Sequence, residues 1–247
     1  MFHIIHQFAF YLHVLVGSMA LVAFWLPIFT KKGSSNHIQY GHFFVKAMYA
    51  VSISGFVMTT LVLIDPLAVR QPDMNLPIEV LDKLALENRL FSGFLFMLSL
   101  LVFNCVQQSV GVLRAKSDRS ELKQLRYVSP LLLQVVTAVF MAWYGLEYQR
   151  VLFQVFAALC FANALGSLHY AFKKQIKQRQ WVIEHVGAIF GAGIGAYTAF
   201  FVFGGSRLFK MFVPGDSQLV LWVLPGVVGA IATVWVNKRV VKQFRVN

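Results

Sequence analysis

Seven long apolar stretches alternate with short polar segments along the chain. Each stretch is long enough to cross a hydrocarbon layer of about 30 Å as an α-helix that rises about 1.5 Å per residue. The pattern predicts membrane-spanning helices over residues 7–30, 43–64, 90–112, 128–147, 151–172, 182–204 and 218–236. The sequence therefore predicts an all-α, polytopic membrane protein, with residues 1–247 forming a single seven-helix transmembrane domain.

The polar segment 65–89 is the longest of the six. Asp65-Pro66 and Gln71-Pro72-Asp73 break the second helix, because a residue before proline disfavours the helical conformation. Pro77 then suits the first turn of another helix, with Ile78, Leu81 and Leu84 at helical spacing. Two placements of this helix remain open: it lies on the outer membrane surface, or it extends the third span.

Composition supports the membrane class. Apolar residues make up 58% of the chain and charged residues only 13%, whereas a soluble domain has about 25% charged residues. The net charge of +12 is concentrated in alternate gaps between the spans. We therefore expect membrane lipids as partners and no nucleic acid.

The distribution of charge predicts an orientation. The first, third and fifth gaps, the C-terminal tail, and Lys46 and Glu184 at the adjacent span ends together hold 16 cations against three acids, whereas the opposite side has six cations against seven acids. Positively charged loops stay in the cytoplasm. The N-terminus is therefore predicted outside and the C-terminus inside, with a basic inner rim that attracts anionic lipid headgroups.

Polar side chains are expensive within a membrane and usually face other helices or a cavity. Given this orientation, five helices place polar groups in the cytoplasmic half. The candidates for binding a transition metal such as Zn, Fe or Cu, or haem, are His42, His169, His185 and Glu184, because imidazole suits all of these metals. Polar residues of the same cavity are Lys46, Asn104, Gln108, Gln134 and Asn163.

A plainer interpretation of these inner residues stays open. In it, His37 and His42 are interfacial, Lys46 extends its ammonium group to the membrane surface, and the amides hydrogen-bond helix to helix. No histidine pair shows the close spacing of a known metal motif. Convergence of the imidazoles would therefore have to come from tertiary packing.

On the outer side, histidines occur on one helix only. His3, His6 and His13 share a helix face, and with no second helix to supply an imidazole, a haem held by histidines of two helices is excluded there. His13 lies about four turns into the membrane, where a polar group needs a partner. A bond to Ser, Thr or a backbone carbonyl is the expected state, and a ligand role is the alternative.

The sixth span has small residues every four positions, at Gly187, Gly191 and Gly195. This spacing lets helix backbones approach closely in lipid. The ridge is expected to pack within the chain. A homo-oligomer or a larger membrane complex is the alternative, and the protein would then be a non-enzymatic subunit.

Several other functions lack their residues. Asp65 and Glu147 lie at the outer ends of their spans, and no carboxylate is placed at mid-membrane. A proton-coupled transporter would usually have a carboxylate there. The seventh span has no lysine before Lys238, so it lacks the attachment point for retinal. No Gly-x-Ser-x-Gly motif for serine hydrolysis occurs.

Short motifs in the first, second and sixth spans resemble a family of bacterial multi-pass membrane proteins with a domain of unknown function. The motifs are His13-x3-Gly17-x2-Ala20-Leu21, Lys31-Lys32-Gly33, His37-x3-Gly41, and His185 followed by Thr198-Ala199-Phe200. The resemblance implies a bacterial inner-membrane protein and draws attention to His13, His37 and His185. That family commonly has arginine directly after the glycine of the His-x3-Gly motif, whereas in this chain His42 follows Gly41.

A more distant comparison is with seven-span zinc hydrolases such as alkaline ceramidases and adiponectin-receptor-like proteins. Those enzymes use a His-x3-His pair in the last span, and the seventh span here contains no histidine. The sequence thus leaves three functions open: a histidine site for metal or haem in redox or metal handling, a zinc-dependent lipid hydrolase, and a packing subunit.

Overall fold

The computed structural model describes residues 1–71, 74–204 and 218–246. These residues form helices and no β-strand. The helices are α1 Phe2–Phe29, α2 Ser35–Ile64, α3 Pro66–Arg70, α4 Ile78–Ala115, α5 Leu125–Glu147, α6 Val151–Phe172, α7 Gln180–Ala199 and α8 Gln218–Phe244, with a 3-10 turn at Glu121–Lys123 and a π-helical turn at Phe200–Gly204.

Within the described chain, seven helices are long and apolar enough to cross a membrane, namely all except the short α3. This confirms the all-α class and the seven predicted spans, and it indicates a multi-pass membrane protein. Several helices continue beyond the predicted limits, because the helical backbone extends into polar residues that hydropathy does not detect. Four of the charges counted on the predicted outer side lie outside the described residues, namely Asp73, Arg207, Lys210 and Asp216, and so does the helix-breaking Pro72.

The segment between α2 and α4 settles the open placement of the predicted short helix. Asp65 ends α2 by donating its N–H to Leu61 O, and its carboxylate accepts from the Ala68 N–H to begin α3. After Pro77, whose carbonyl accepts from the Val80 N–H at 2.9 Å, the chain is helical without interruption through Ala115. The predicted short helix is therefore an extension of the third span.

Contacts divide the chain into two compact units. Unit 1 comprises Met1–Leu101 and Gln134–Phe161, and unit 2 comprises Val102–Leu133 and Ala162–Asn247. The divisions fall within α4, α5 and α6, so each of these helices contributes to both units.

In unit 1, α1 packs along α2. The Phe24 and Phe44 rings meet with centroids 5.5 Å apart, and both side chains are buried. Further along the pair, Gly55 lies close to α4, where an added Cβ would be 2.5 Å from Ser99 Oγ. The absence of a side chain at Gly55 therefore permits the close approach of α2 to α4.

In unit 2, the glycines of α7 lie against α4. An added Cβ at Gly191 would be 3.1 Å from Cys105 Sγ, and one at Gly195 would be 2.9 Å from Val102 Cγ2. At Gly187 an added Cβ would meet no atom of the described residues within 4 Å. Two of the three ridge glycines are thus used within the chain, as small residues are in membrane helix packing.

A hydrophobic cluster in unit 2 joins the end of α4 to the end of α6. Its buried members are Val112, Leu122, Tyr127, Tyr170 and Ala171. Arg119, also buried, donates from Nη1 to Tyr170 O at 2.6 Å. Because the last carbonyls of a helix have no partner within the helix, this guanidinium stabilises the C-terminal end of α6.

Candidate functional site

His185 lies in the second turn of α7, and α4 determines its orientation. Its Nδ1 donates to the Ser109 carbonyl at 2.9 Å, a bond that joins two helices of unit 2. The carbonyl can only accept, so Nδ1 has a hydrogen, and in the neutral form of the ring Nε2 has the lone pair. Histidines that bind metals usually have this arrangement, in which the second nitrogen donates to a carbonyl.

Gln108, one residue before Ser109, is a buried amide with an unusual feature. Within the described chain, its Nε2 has no hydrogen-bond partner. Buried amide groups are nearly always bonded, so an exception deserves an explanation such as a water or a ligand. Gln108 is therefore a predicted cavity residue whose state fits a binding role.

The other predicted cavity amides connect helices instead. Asn104 donates from α4 to Pro130 O of α5 at 3.0 Å, and Gln134 donates from α5 to Cys160 O of α6 at 2.8 Å. Asn163 donates from Nδ2 on α6 to Cys105 Sγ on α4 at 3.5 Å. These bonds are the helix-to-helix pairing that the plainer interpretation expects.

The remaining inner candidates are more exposed. His42, Lys46 and His169 are exposed, and Glu184 is partly buried and accepts from Gln180 Nε2 at 3.3 Å. Among the described residues, no group of three or more His, Cys, Asp or Glu side chains could hold a metal ion. The part of the chain that the structure describes thus presents no preassembled set of three protein ligands.

His13 has the predicted hydroxyl partner. Its Nδ1 lies 3.0 Å from Ser54 Oγ on α2, within unit 1. The Ser54 hydroxyl donates to Ala50 O at 2.7 Å, so its oxygen accepts from His13 and the hydrogen again lies on Nδ1. Of the expected partners, Ser, Thr or a backbone carbonyl, the structure has a serine.

His37 belongs to a cap between α1 and α2. Pro27 O, near the end of α1, accepts from Thr30 Oγ1 at 3.0 Å, from Lys32 Nζ at 2.9 Å and from His37 Nδ1 at 3.0 Å. Partial burial lowers the pKa of Lys32. Here the sequence motif has a structural explanation, because its residues satisfy helix-end carbonyls.

Gly33 and Ser34 complete this turn. Gly33 has φ +78°, a left-handed conformation that favours glycine. Ser34 caps α2 by accepting from the His37 N–H at 3.3 Å. The segment Lys31–His37 thus ends one span and begins the next.

The sequence did not identify the groups that orient the imidazoles. Four of the seven histidines hold Nδ1 against an oxygen from another helix, and these are His3 with Val69 O, His13, His37 and His185. A carbonyl acceptor has no sequence signature because every residue has one. Only a hydroxyl partner, such as Ser54 for His13, could have been anticipated by residue type.

Comparison with known proteins adds no relative. No protein-family model, no curated protein and no solved structure matches the chain.

Proposed function

We propose that this protein belongs to the bacterial multi-pass family that its motifs resemble, and binds haem or a transition metal in the inner membrane through His185, in redox or metal handling. The N-terminus is outside and the C-terminus inside, so the site opens toward the cytoplasm. The observation that supports the proposal is the bond from His185 Nδ1 to Ser109 O at 2.9 Å. It holds a hydrogen on Nδ1, and in the neutral imidazole the lone pair then lies on Nε2, the nitrogen that would coordinate iron or zinc.

Gln108, next to the Ser109 that holds His185, is a residue that fits such a group. The buried Gln108 Nε2 without a partner in the described chain is a donor for a carboxylate or an oxygen ligand. Haem requires only one or two protein ligands, so it does not depend on a cluster of three. When bound, haem would supply one-electron chemistry, while the Ser109 carbonyl holds the imidazole in one orientation.

His13 is the second candidate ligand, in unit 1. Its Nδ1 hydrogen is directed to Ser54 Oγ, so its Nε2 also has the lone pair. Because a haem between two histidine-bearing outer helices is excluded by the sequence, His13 would be the only histidine to hold such a group there.

The test is an absorption spectrum and a transition-metal analysis of the full chain, purified in detergent after growth with haem precursor and metals. We expect a haem absorption band or about one metal ion per chain. His185→Ala should lower that content about tenfold or more, since even loss of an outer partner costs about 10–100-fold in metal affinity. His42→Ala is the matched control, because His42 is exposed. The haem or metal content of this variant should equal that of the wild type.

Two results would contradict this function. One is wild-type protein without haem absorbance or bound metal. The other is full occupancy in His185→Ala, which would direct attention to His13→Ala. The alternatives have less support: the described residues contain no three-ligand zinc group, and Gly191 and Gly195 already pack against α4.

A further inference from the structure

A cavity of about 430 Å³ lies in unit 1 where α4, α5 and α6 meet. Its lining includes the acidic Glu87, the basic Arg150 and the aromatic Phe91, Tyr144 and Tyr148. The volume is within the range of about 300–1,000 Å³ that is typical of small-molecule sites. None of these residues belongs to the histidine site described above.

The charged pair leaves part of the guanidinium available. Arg150 Nη2 donates to both oxygens of Glu87, at 2.9 and 3.1 Å. Arginine usually meets a carboxylate with two nitrogens, whereas here one nitrogen makes both bonds. The side chains are 52% and 49% exposed, so Arg150 has further N–H donors that a second anion, such as a phosphate, can reach.

The aromatic residues supply a surface for a cation. The Tyr144 and Tyr148 rings are stacked, with centroids 4.5 Å apart and planes 11° apart. An ammonium group within about 6 Å of a tyrosine face is attracted to the ring. The carboxylate of Glu87, on the same cavity wall, attracts the same charge.

The position of the cavity indicates a lipid and not a soluble molecule. Tyr148, Gln149 and Arg150 connect α5 to α6 and lie between two candidate spans, at the level where a membrane has its headgroups. Val151, which lines the cavity, is 55% exposed, and the nearby Leu146 is 68% exposed. Acyl chains can cover such apolar side chains while the headgroup enters the cavity.

We infer that this cavity binds the headgroup of a zwitterionic phospholipid, with the phosphate on Arg150 and the ammonium between Glu87 and the stacked tyrosines. Phosphatidylglycerol, an anionic lipid, has no ammonium group, and we expect it to bind preferentially at the predicted basic rim of the opposite side. The cavity is therefore selective for a zwitterion in a protein whose net charge of +12 would otherwise favour anionic lipids.

Native mass spectrometry of the full chain in detergent tests this inference. Synthetic phosphatidylethanolamine, phosphatidylcholine and phosphatidylglycerol are added separately, and bound copies are counted. Glu87→Gln should lower retention of the zwitterionic lipids about fivefold, without changing retention of phosphatidylglycerol. Lys83→Gln is the matched control, since Lys83 is exposed on α4 and is not part of the cavity lining; it should leave every lipid unchanged.

A charge exchange separates binding from folding. In the double variant Glu87→Arg with Arg150→Glu, the ion pair is retained, but the cation now lies where the ammonium binds. We expect the same thermal midpoint as wild type and an approximately fivefold loss of zwitterion retention. Unchanged zwitterion retention in this variant or in Glu87→Gln would overturn the inference, as would an equal loss of phosphatidylglycerol.

Discussion

Gly55 on α2 faces Ser99 on α4, and the space between them is too small for a methyl group. A Cβ at Gly55 would be 2.5 Å from Ser99 Oγ but 3.4 Å from Ser99 Cβ. Gly55→Ala should therefore destabilise the protein by about 1–3 kcal/mol, as overpacking does. Ser99→Ala removes the obstructing oxygen, so the double variant should recover at least half of the loss.

The measurement is the thermal midpoint of the four proteins of this cycle in detergent. Coupling between the two positions is expected because they share one contact. Ser99 Oγ otherwise donates to Leu95 O within its own helix, so Ser99→Ala alone should change the midpoint little. If the effects of Gly55→Ala and Ser99→Ala were simply additive, the contact would not limit the approach of α2 to α4.

At the same scale, residue type predicted part of the chemistry and not the rest. The depth of His13 predicted a hydroxyl or carbonyl partner, and Ser54 is that partner. The partner of His185 is a main-chain carbonyl, Ser109 O, which depends on how α7 is positioned along α4. The sequence supplies the imidazole, whereas packing determines which of its nitrogens has the lone pair.

For the element α7, the three ridge glycines differ in their surroundings and so provide their own control. An alanine at Gly191 or Gly195 would crowd Cys105 or Val102 of α4. Each change should lower stability by about 1–3 kcal/mol. Gly187→Ala should be neutral or stabilising by up to about 1 kcal/mol, because the site is open and alanine is the better helix former.

Thermal midpoints in detergent check this difference, and size-exclusion chromatography checks the oligomer. An intramolecular ridge predicts that Gly187→Ala leaves the apparent mass unchanged. A change of oligomeric state in Gly187→Ala, with no loss of stability in the other two variants, would favour the packing-subunit alternative.

The extents of the helices show where hydropathy stops being informative. Residues 90–112 were predicted for the third span, and α4 runs over Ile78–Ala115, about 57 Å at about 1.5 Å per residue. Its first turns contain Glu79, Asp82 and Lys83, which no apolar window includes. Their helical state depends on Pro77 starting the helix and on the buried Leu81 and Ala85.

For the whole molecule, the number of spans was predictable because a membrane imposes one simple requirement, a long apolar helix. Whether the inner polar residues line a cavity was not predictable, since that depends on which faces of α4, α6 and α7 meet. The amides show this clearly: Asn104 and Asn163 were predicted to line a cavity, and they bond across helices instead. Polarity identifies residues that need partners but does not say whether the partner is a ligand or a neighbouring helix.

The orientation of the whole molecule rests on its charge. One side is predicted to hold 16 cations and three acids, and moving such loops outward across a membrane is unfavourable. Single cysteines introduced at Met74, Ser117 and Gln175, all of which are exposed, make the orientation measurable with a membrane-impermeant maleimide on spheroplasts. The native Cys105 and Cys160 are buried thiols that form no disulfide with each other, so they should contribute little background.

Met74→Cys should react in intact spheroplasts, because it lies in the segment between the second and third spans, on the predicted outer side. Ser117→Cys and Gln175→Cys, beside the basic clusters, should react only after the membrane is permeabilised. The reverse pattern would place His185 and its Ser109 partner near the outer surface. Any cofactor at His185 would then exchange electrons or metal with the exterior, and the proposed cytoplasmic role would be wrong even if the cofactor were present.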